Sequence, residues 1–319
     1  MTTTADLIAT AKHLLLSGQR PTLNKLAANT APGAGTLAFA NEVTGIRADA
    51  YLQVGLEVFY VWTVDVAGRT ATVEPAQEGS TAAAHDTGDV VTVNPRFPDH
   101  TILAGLNDCI RSLSSPSLGL YQVGTVDLSY VATAGGYDLT GVTDLLDIVD
   151  IRLHRGSATS KDWPRIDGWD LSRGVNTTDF PSGLALFLSA YGEVGSDIRV
   201  RYRSGFSALT TLATDVTTTG LPVTALDIPP LGAAIRLVHP REIKRNQTEA
   251  QGDGRRAGEV GPGSVAGSVN ALERDYYRRI SEEAARLAAS NPPQGYVPVP
   301  GPYAVSRPYA RNGAWDVTP

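Results

Sequence analysis

Apolar residues recur along this chain at two periods, and the switches between them mark its elements. Leu7, Ile8, Ala11, Leu14 and Leu15 fall three and four apart behind Thr4, which predicts a helix over 2–17, capped by Thr4 and ended by Gly18. After Pro32-Gly33-Ala34-Gly35 the period drops to two. Val58, Tyr60, Trp62 and Val64 alternate with their neighbours, so Leu56–Asp65 is a predicted strand, joined by Thr36–Phe39, Arg69–Glu74 and Asp89–Asn94 in a small β-barrel or sandwich. Helical spacing returns behind Pro98, where Ile102, Leu103, Leu106, Ile110 and Leu113 form one face. A second strand-rich stretch follows, with Gly124–Tyr130, Ile148–His154, Leu184–Tyr191 and Asp197–Tyr202 as its best strands. Helical patterning resumes over Pro229–Asn246, and a loop rich in Gly and Arg, Gly252–Gly263, leads to a last helix.

That last helix carries Val265, Val269, Leu272, Tyr276, Ile280, Ala284, Leu287 and Ala288 on one stripe. Asp275/Arg279, Arg278/Glu282, Arg279/Glu283 and Glu282/Arg286 stand four apart with opposite charge, each pair contributing only about 0.2–0.5 kcal/mol. Asn291-Pro292-Pro293 stops the helix, because proline lacks the amide donor and pushes its predecessor out of helical dihedrals. Beyond it Tyr296, Tyr303, Tyr309 and Trp315 are spaced among prolines in an extended arm that can reach on the order of 90 Å. A stripe needing cover and an arm bearing large rings point to an interface with another subunit, made by Val265, Val269, Leu272, Tyr276, Ile280, Leu287, Tyr296, Tyr303, Tyr309 and Trp315.

The expected fold is α+β: a helical bundle framework interrupted by two inserted β-domains, one a small β-barrel and one sandwich-like, with the extended C-terminal arm. The expected divisions are 1–34 for the first helix and linker, 35–97 for the small β-domain and 98–115 for a framework helix. The second β-domain follows over 116–205, then the C-terminal helical region over 206–290 and the arm over 291–319.

Composition narrows the chemistry. No apolar run approaches the ~18–20 residues needed to span a bilayer, and Met1-Thr2-Thr3-Thr4-Ala5-Asp6 lacks the basic start and apolar core of a secretion signal, so the expected place of synthesis is a cytoplasm. The single cysteine, Cys109, sits on an apolar helical face and is expected to be a core thiol. A formal charge of -6 argues against general nucleic-acid binding, although it does not exclude a protein past which DNA slides. Neither phosphate-cradling glycine motif occurs, nor the serine-hydrolase elbow, and the five histidines are scattered without helical ligand spacing. Asp144, Asp147 and Asp150 recur every third residue and are expected in a solvated turn. No catalytic, cofactor or metal site is therefore expected. Arg241, Lys244, Arg245, Arg255 and Arg256, interspersed with Glu242, Glu249, Asp253 and Glu259, point to an intersubunit charge network. Trp163 and Trp169 leave open a carbohydrate-binding module or a glycan-processing enzyme.

Several stretches resemble the head-to-tail adaptor (connector) proteins of tailed bacteriophages, particularly siphophage-like viruses of actinobacteria. They are Gly55–Asp65 (GLEVFYVWTVD), Gln77-Glu78-Gly79-Ser80-Thr81-Ala82-Ala83-Ala84-His85 with Gly88-Asp89-Val90-Val91, and His239–Arg245 with Glu249–Gly252 and Ala271–Leu287. The second is similar to a Q-x-G-T-x-A-x-x-H turn of phage neck and tail β-domains, although here Ser80 precedes the threonine. The resemblance implies a structural virion protein of the neck: a twelve-fold ring beneath the portal protein, bound on its other side to head-tail stopper or tail proteins. Genomic DNA would pass through the lumen during ejection without sequence-specific contacts. Another neck or tail subunit remains the nearest alternative.

Overall fold

The computed structural model describes residues 2–16, 21–131, 133–154, 163–166, 168–189, 196–238 and 264–291. The first helix, α1 (Thr4–Leu16), begins one residue earlier in its capping than expected. Thr3 and Asp6 cap it reciprocally, with Thr3 N donating to Asp6 Oδ2 at 2.8 Å and Asp6 N to Thr3 Oγ1 at 3.4 Å. Thr4 is instead fully buried against Thr214 O. Gly18 lies outside the described residues.

Six strands follow: β1 (Thr22–Lys25), β2 (Thr36–Ala38), β3 (Tyr51–Val54), β4 (Glu57–Asp65), β5 (Thr70–Glu74) and β6 (Val90–Val93). They form one antiparallel sheet in the order β1-β6-β3-β4-β5-β2. Its two outer strands meet through a Leu26↔Phe39 bridge, with Ala27 N donating to Ala38 O at 2.9 Å and Ala40 N to Lys25 O at 2.8 Å, so the sheet closes into a small barrel. Leu26, Leu37, Phe39, Leu52, Val54, Phe59, Val61 and Val91 fill it. Gly55, at φ 58°, supplies the tight turn from β3 to β4 that a side chain would strain. The barrel takes in Thr22–Lys25, ahead of position 35.

Helix α2 (Asp99–Leu113) then leads to a second β unit: β7 (Gln122–Ser129), β8 (Tyr137–Asp138), β9 (Leu145–Leu153), β10 (Trp169–Arg173), β11 (Leu184–Leu188) and β12 (Asp197–Ser204). Two three-stranded antiparallel sheets, β10-β11-β8 and β7-β12-β9, share a core around Leu139, Ile151, Leu186, Ile198 and Val200. Residues 206–227 run through turns and two short 3-10 turns, Val216–Thr219 and Val223–Ala225, before a helix α3 described over 228–238 and the long α4 (Ser264–Ser290).

The expected helical bundle framework is overturned. Twelve strands in three antiparallel sheets dominate the described residues, and the helices number four. Short strands such as β1, β3, β8 and β10 leave too few positions to reveal a period of two, while the region after 206 is broken by Pro222 and by threonine-rich turns that do not continue as helix. The helices instead share one core beside the sheets, where Ile8, Ala11, Ile102, Leu106, Ile110, Ala233, Ala234, Tyr276 and Ile280 meet.

Candidate functional site

Helix α4 is seated by small residues beneath it. Gly105 on α2 faces Ala233 on α3, and a Cβ at Gly232 would collide with Cys109 Sγ and stand 3.0 Å from Tyr276 Cε2. Backbones can approach this closely only without side chains in between, and the space left is filled by Cys109 and the Tyr276 ring, whose hydroxyl lies 3.5 Å from Cys109 Sγ. Burial pushes the Cys109 thiol up from its ordinary value and the Tyr276 phenol well above its own.

The stripe expected to face another subunit is thus covered in part by its own chain. Tyr276 and Ile280 are buried in the helical core, Ala284 and Leu287 pack against it, and Val269 is buried. Leu272 is half-buried, and the Val265 side chain lies outside the described residues. Polar contacts lock the same seat. Arg279 donates through Nε to Asp227 Oδ2 at 2.6 Å and through Nη2 to Thr224 O at 2.7 Å, and it also pairs with Glu282. These partners raise the Arg279 guanidinium above its usual value, while hydrogen bonds from Arg279 and Arg278 hold the Glu282 carboxyl below the usual carboxylate range. Glu283, buried, accepts from Thr224 at 3.0 Å and from Arg286 at 2.9 Å. At the helix end Asn291 accepts from Arg201 at 3.5 Å, so the chain leaves α4 beside the second β unit.

Tyr296, Tyr303, Tyr309 and Trp315 lie outside the described residues, as do Arg241, Lys244, Arg245, Arg255 and Arg256.

The turn Gln77–His85 is organised by one buried carboxylate. Glu57, at the start of β4, accepts from Ala76 N at 3.2 Å and from Ala83 N at 2.9 Å, and its Oε2 lies 2.8 Å from His85 Nε2. Ser80 Oγ accepts from Val58 N at 2.9 Å. The polar positions of this motif therefore satisfy barrel backbone and fix a loop in which Ala76 and Glu78 are left-handed, at φ 57° and 53°.

An arginine face on the second β unit was not singled out by motif searching. Arg199, Arg201 and Arg203 alternate along β12 with Ile198, Val200 and Tyr202, a strict period of two that carries the signal. Ile198 and Val200 point into the core. On the opposite face Arg199 grips Asp127 through Nε and Nη2, both at 2.8 Å, which holds the Asp127 carboxyl below its usual range. Its Cζ lies 4.2 Å above the Trp163 ring, and Arg203 Cζ lies 4.5 Å from Tyr121. Asp150, expected in a solvated turn, is in fact fully buried in β9 and bonded to Arg152 through Nη2 at 3.1 Å, with Arg201 Nη1 at 3.6 Å. The regular pairing of β9 with β12, Leu153 opposite Ile198 through Asp150 opposite Arg201, sets that carboxylate against the arginine, and the register slips only beyond this pair, at Val149. The guanidinium over Trp163 and the packing of Trp169 against the second core give both tryptophans structural contacts.

Among the described residues no three His, Cys, Asp or Glu side chains gather as a metal site, and no helix is long and apolar enough to cross a membrane. No protein-family model matches the sequence, and no curated protein is found to match it.

Proposed function

We propose that the chain is a structural virion protein, the head-to-tail adaptor that forms a ring beneath the portal of a tailed bacteriophage. The ring links capsid to tail and surrounds the DNA channel. The observation that carries the reading is the fixed seat of α4. Tyr276 and Ile280 hold the helix in the core, Arg279 ties it to Asp227 and Thr224, and Asn291 reaches Arg201, so the aromatic segment 292–319 departs from a defined point. Binding by a tethered segment gains from such anchoring, because a fixed origin restricts the volume its rings must search. Exposed Tyr277 and the charged outer face of α4 add surface to the same end. A formal charge of -6 suits a wall past which DNA moves, since it repels phosphates. In this reading the protein works by geometry: portal protein on one side, stopper or tail proteins on the other, and neighbouring copies around a twelve-fold ring in the virion neck. It has no catalytic role.

The native mass of the chain mixed with its portal protein tests this. One copy per portal subunit, lost when 292–319 are deleted from a chain that keeps its circular dichroism, is the expected result. Absence of any complex at every ratio would refute the adaptor role, and undiminished binding by the shortened chain would refute the role of the segment.

A further inference from the structure

The β12 face forms an open cleft of about 710 Å³ lined by Thr125, Arg152, Trp163, Arg199 and Arg201. Three guanidinium groups there are bonded to two carboxylates, Asp127 and Asp150, with Asp197 a further acidic neighbour of Arg199. Asp127 is matched by Arg199 in a two-bond fork, whereas Asp150 is the one carboxylate bonded to both Arg152 and Arg201, whose Nη2 also donates to the neutral Asn291 side chain. That carboxylate is fully buried and directs only Oδ2 to the arginines, while Oδ1 has no hydrogen-bond partner among the described residues. Two cations held side by side by one buried anion repel each other, and a further negative group in front of them relieves that repulsion. A guanidinium carries five N–H donors in a planar fork, so the two bonds Arg152 makes to Asp150 leave other donors directed elsewhere. Arg199 cannot swing away, because Asp127 and the Trp163 ring fix its position. The donors are therefore held before any ligand arrives, the condition under which oxyanion binding is strongest.

We propose that this cleft is a binding site for an oxyanion, a phosphate or carboxylate group, received by Arg152 and Arg201 beside the Trp163 ring. The proposal does not depend on the adaptor reading, although Arg201 also holds Asn291 at the end of α4. Its volume falls in the range of small-ligand pockets, and the bound group is equally available from a free anion or from the end of a larger ligand.

The test uses the full chain with 15N-labelled arginine, titrated separately with inorganic phosphate and with acetate against sodium chloride at equal ionic strength. The arginine Nε–H signals of Arg152, Arg199 and Arg201 are followed, each assigned by its loss in a variant. The expected result is saturable movement of the Arg152 and Arg201 signals by phosphate, acetate or both. The anion with the lower half-saturation identifies the preferred chemistry. R201Q, or R152Q if that variant alone keeps the wild-type circular dichroism, raises the half-saturation about tenfold or more, while R111Q, at an exposed position of α2, leaves it unchanged. Movement that tracks ionic strength whatever the anion, or no movement in the unsubstituted chain, overturns the proposal.

Discussion

Replacing Gly232 by alanine isolates the contact that seats α4. In an open helix this substitution stabilises by about 1 kcal/mol, since glycine is the poorer helix former. At Gly232 the added methyl would collide with Cys109 Sγ and lie 3.0 Å from Tyr276 Cε2 and 3.1 Å from Cys109 Cβ. Neither neighbour can retreat, because Cys109 is fully buried and Tyr276 is 8% exposed. Overpacking of this kind costs about 1–3 kcal/mol, and a collision with a buried sulfur belongs at the upper end of that range, so after the gain in helix propensity a net loss of about 1–2 kcal/mol is expected. Cys109 is itself the reporter: its burial and raised pKa make the folded thiol inert, and alkylation proceeds only when the helical core opens. A loss of 1–2 kcal/mol accelerates labelling about 5–30-fold where opening and closing are fast. Gly267, exposed on the same α4 with nothing among the described residues within 4 Å of its would-be Cβ, is the control, and its alanine variant should label no faster than the parent. Unchanged labelling in G232A, or equal acceleration in G267A, would refute the argument from close approach.

Two further outcomes follow from buried and paired carboxylates. Glu57→Ala strips partners from two backbone amides and from His85, and should destabilise the barrel by about 3 kcal/mol or more in urea unfolding; a loss below about 1 kcal/mol would show that the turn does not depend on Glu57. Glu282 has its folded pKa depressed by Arg279 and Arg278, so its contribution is complete above the ordinary carboxylate value and disappears as pH falls through the lowered one. The midpoint of urea unfolding, followed over the acid range, should therefore fall with pH more in the unsubstituted chain than in Glu282→Gln, and superimposable profiles would contradict the assignment.

Helical stripes were legible because their period survives burial. Ile102, Leu106, Ile110 and Leu113 of α2, and Tyr276 and Ile280 of α4, lie on the faces their spacing assigns. What covers a stripe was not legible, since nothing in the spacing of α4 distinguishes Cys109 and Gly232 of its own chain from a foreign surface. β3 was hidden because Leu52, Gln53 and Val54 are all buried, which erases alternation; Gln53 escapes a penalty by donating to Gly55 O and accepting from Asp99 N. Asp150 was misplaced for a related reason. Its burial depends on pairing with β12 and on Arg201, about fifty residues away in sequence, which its neighbours do not encode. The arginine alternation on β12 was visible, but only the sheet brings Arg152, Trp163 and Asp150 to meet it.

The shared core of α1 and α4 also fixes an order of events on the ribosome. The barrel can close once β6 has emerged, and the second β unit once β12 has, because each draws its core from its own stretch of chain. Leu7, Ile8 and Ala11 must wait for Tyr276 and Ile280, roughly 270 residues later, to complete theirs. A nascent chain interrupted between β12 and α4 thus carries a folded barrel and a folded second β unit but an unfinished helical layer with apolar surface showing. Only a chain synthesised through Ile280 can hide that surface, which makes translation to that point the condition for escaping chaperones and proteases.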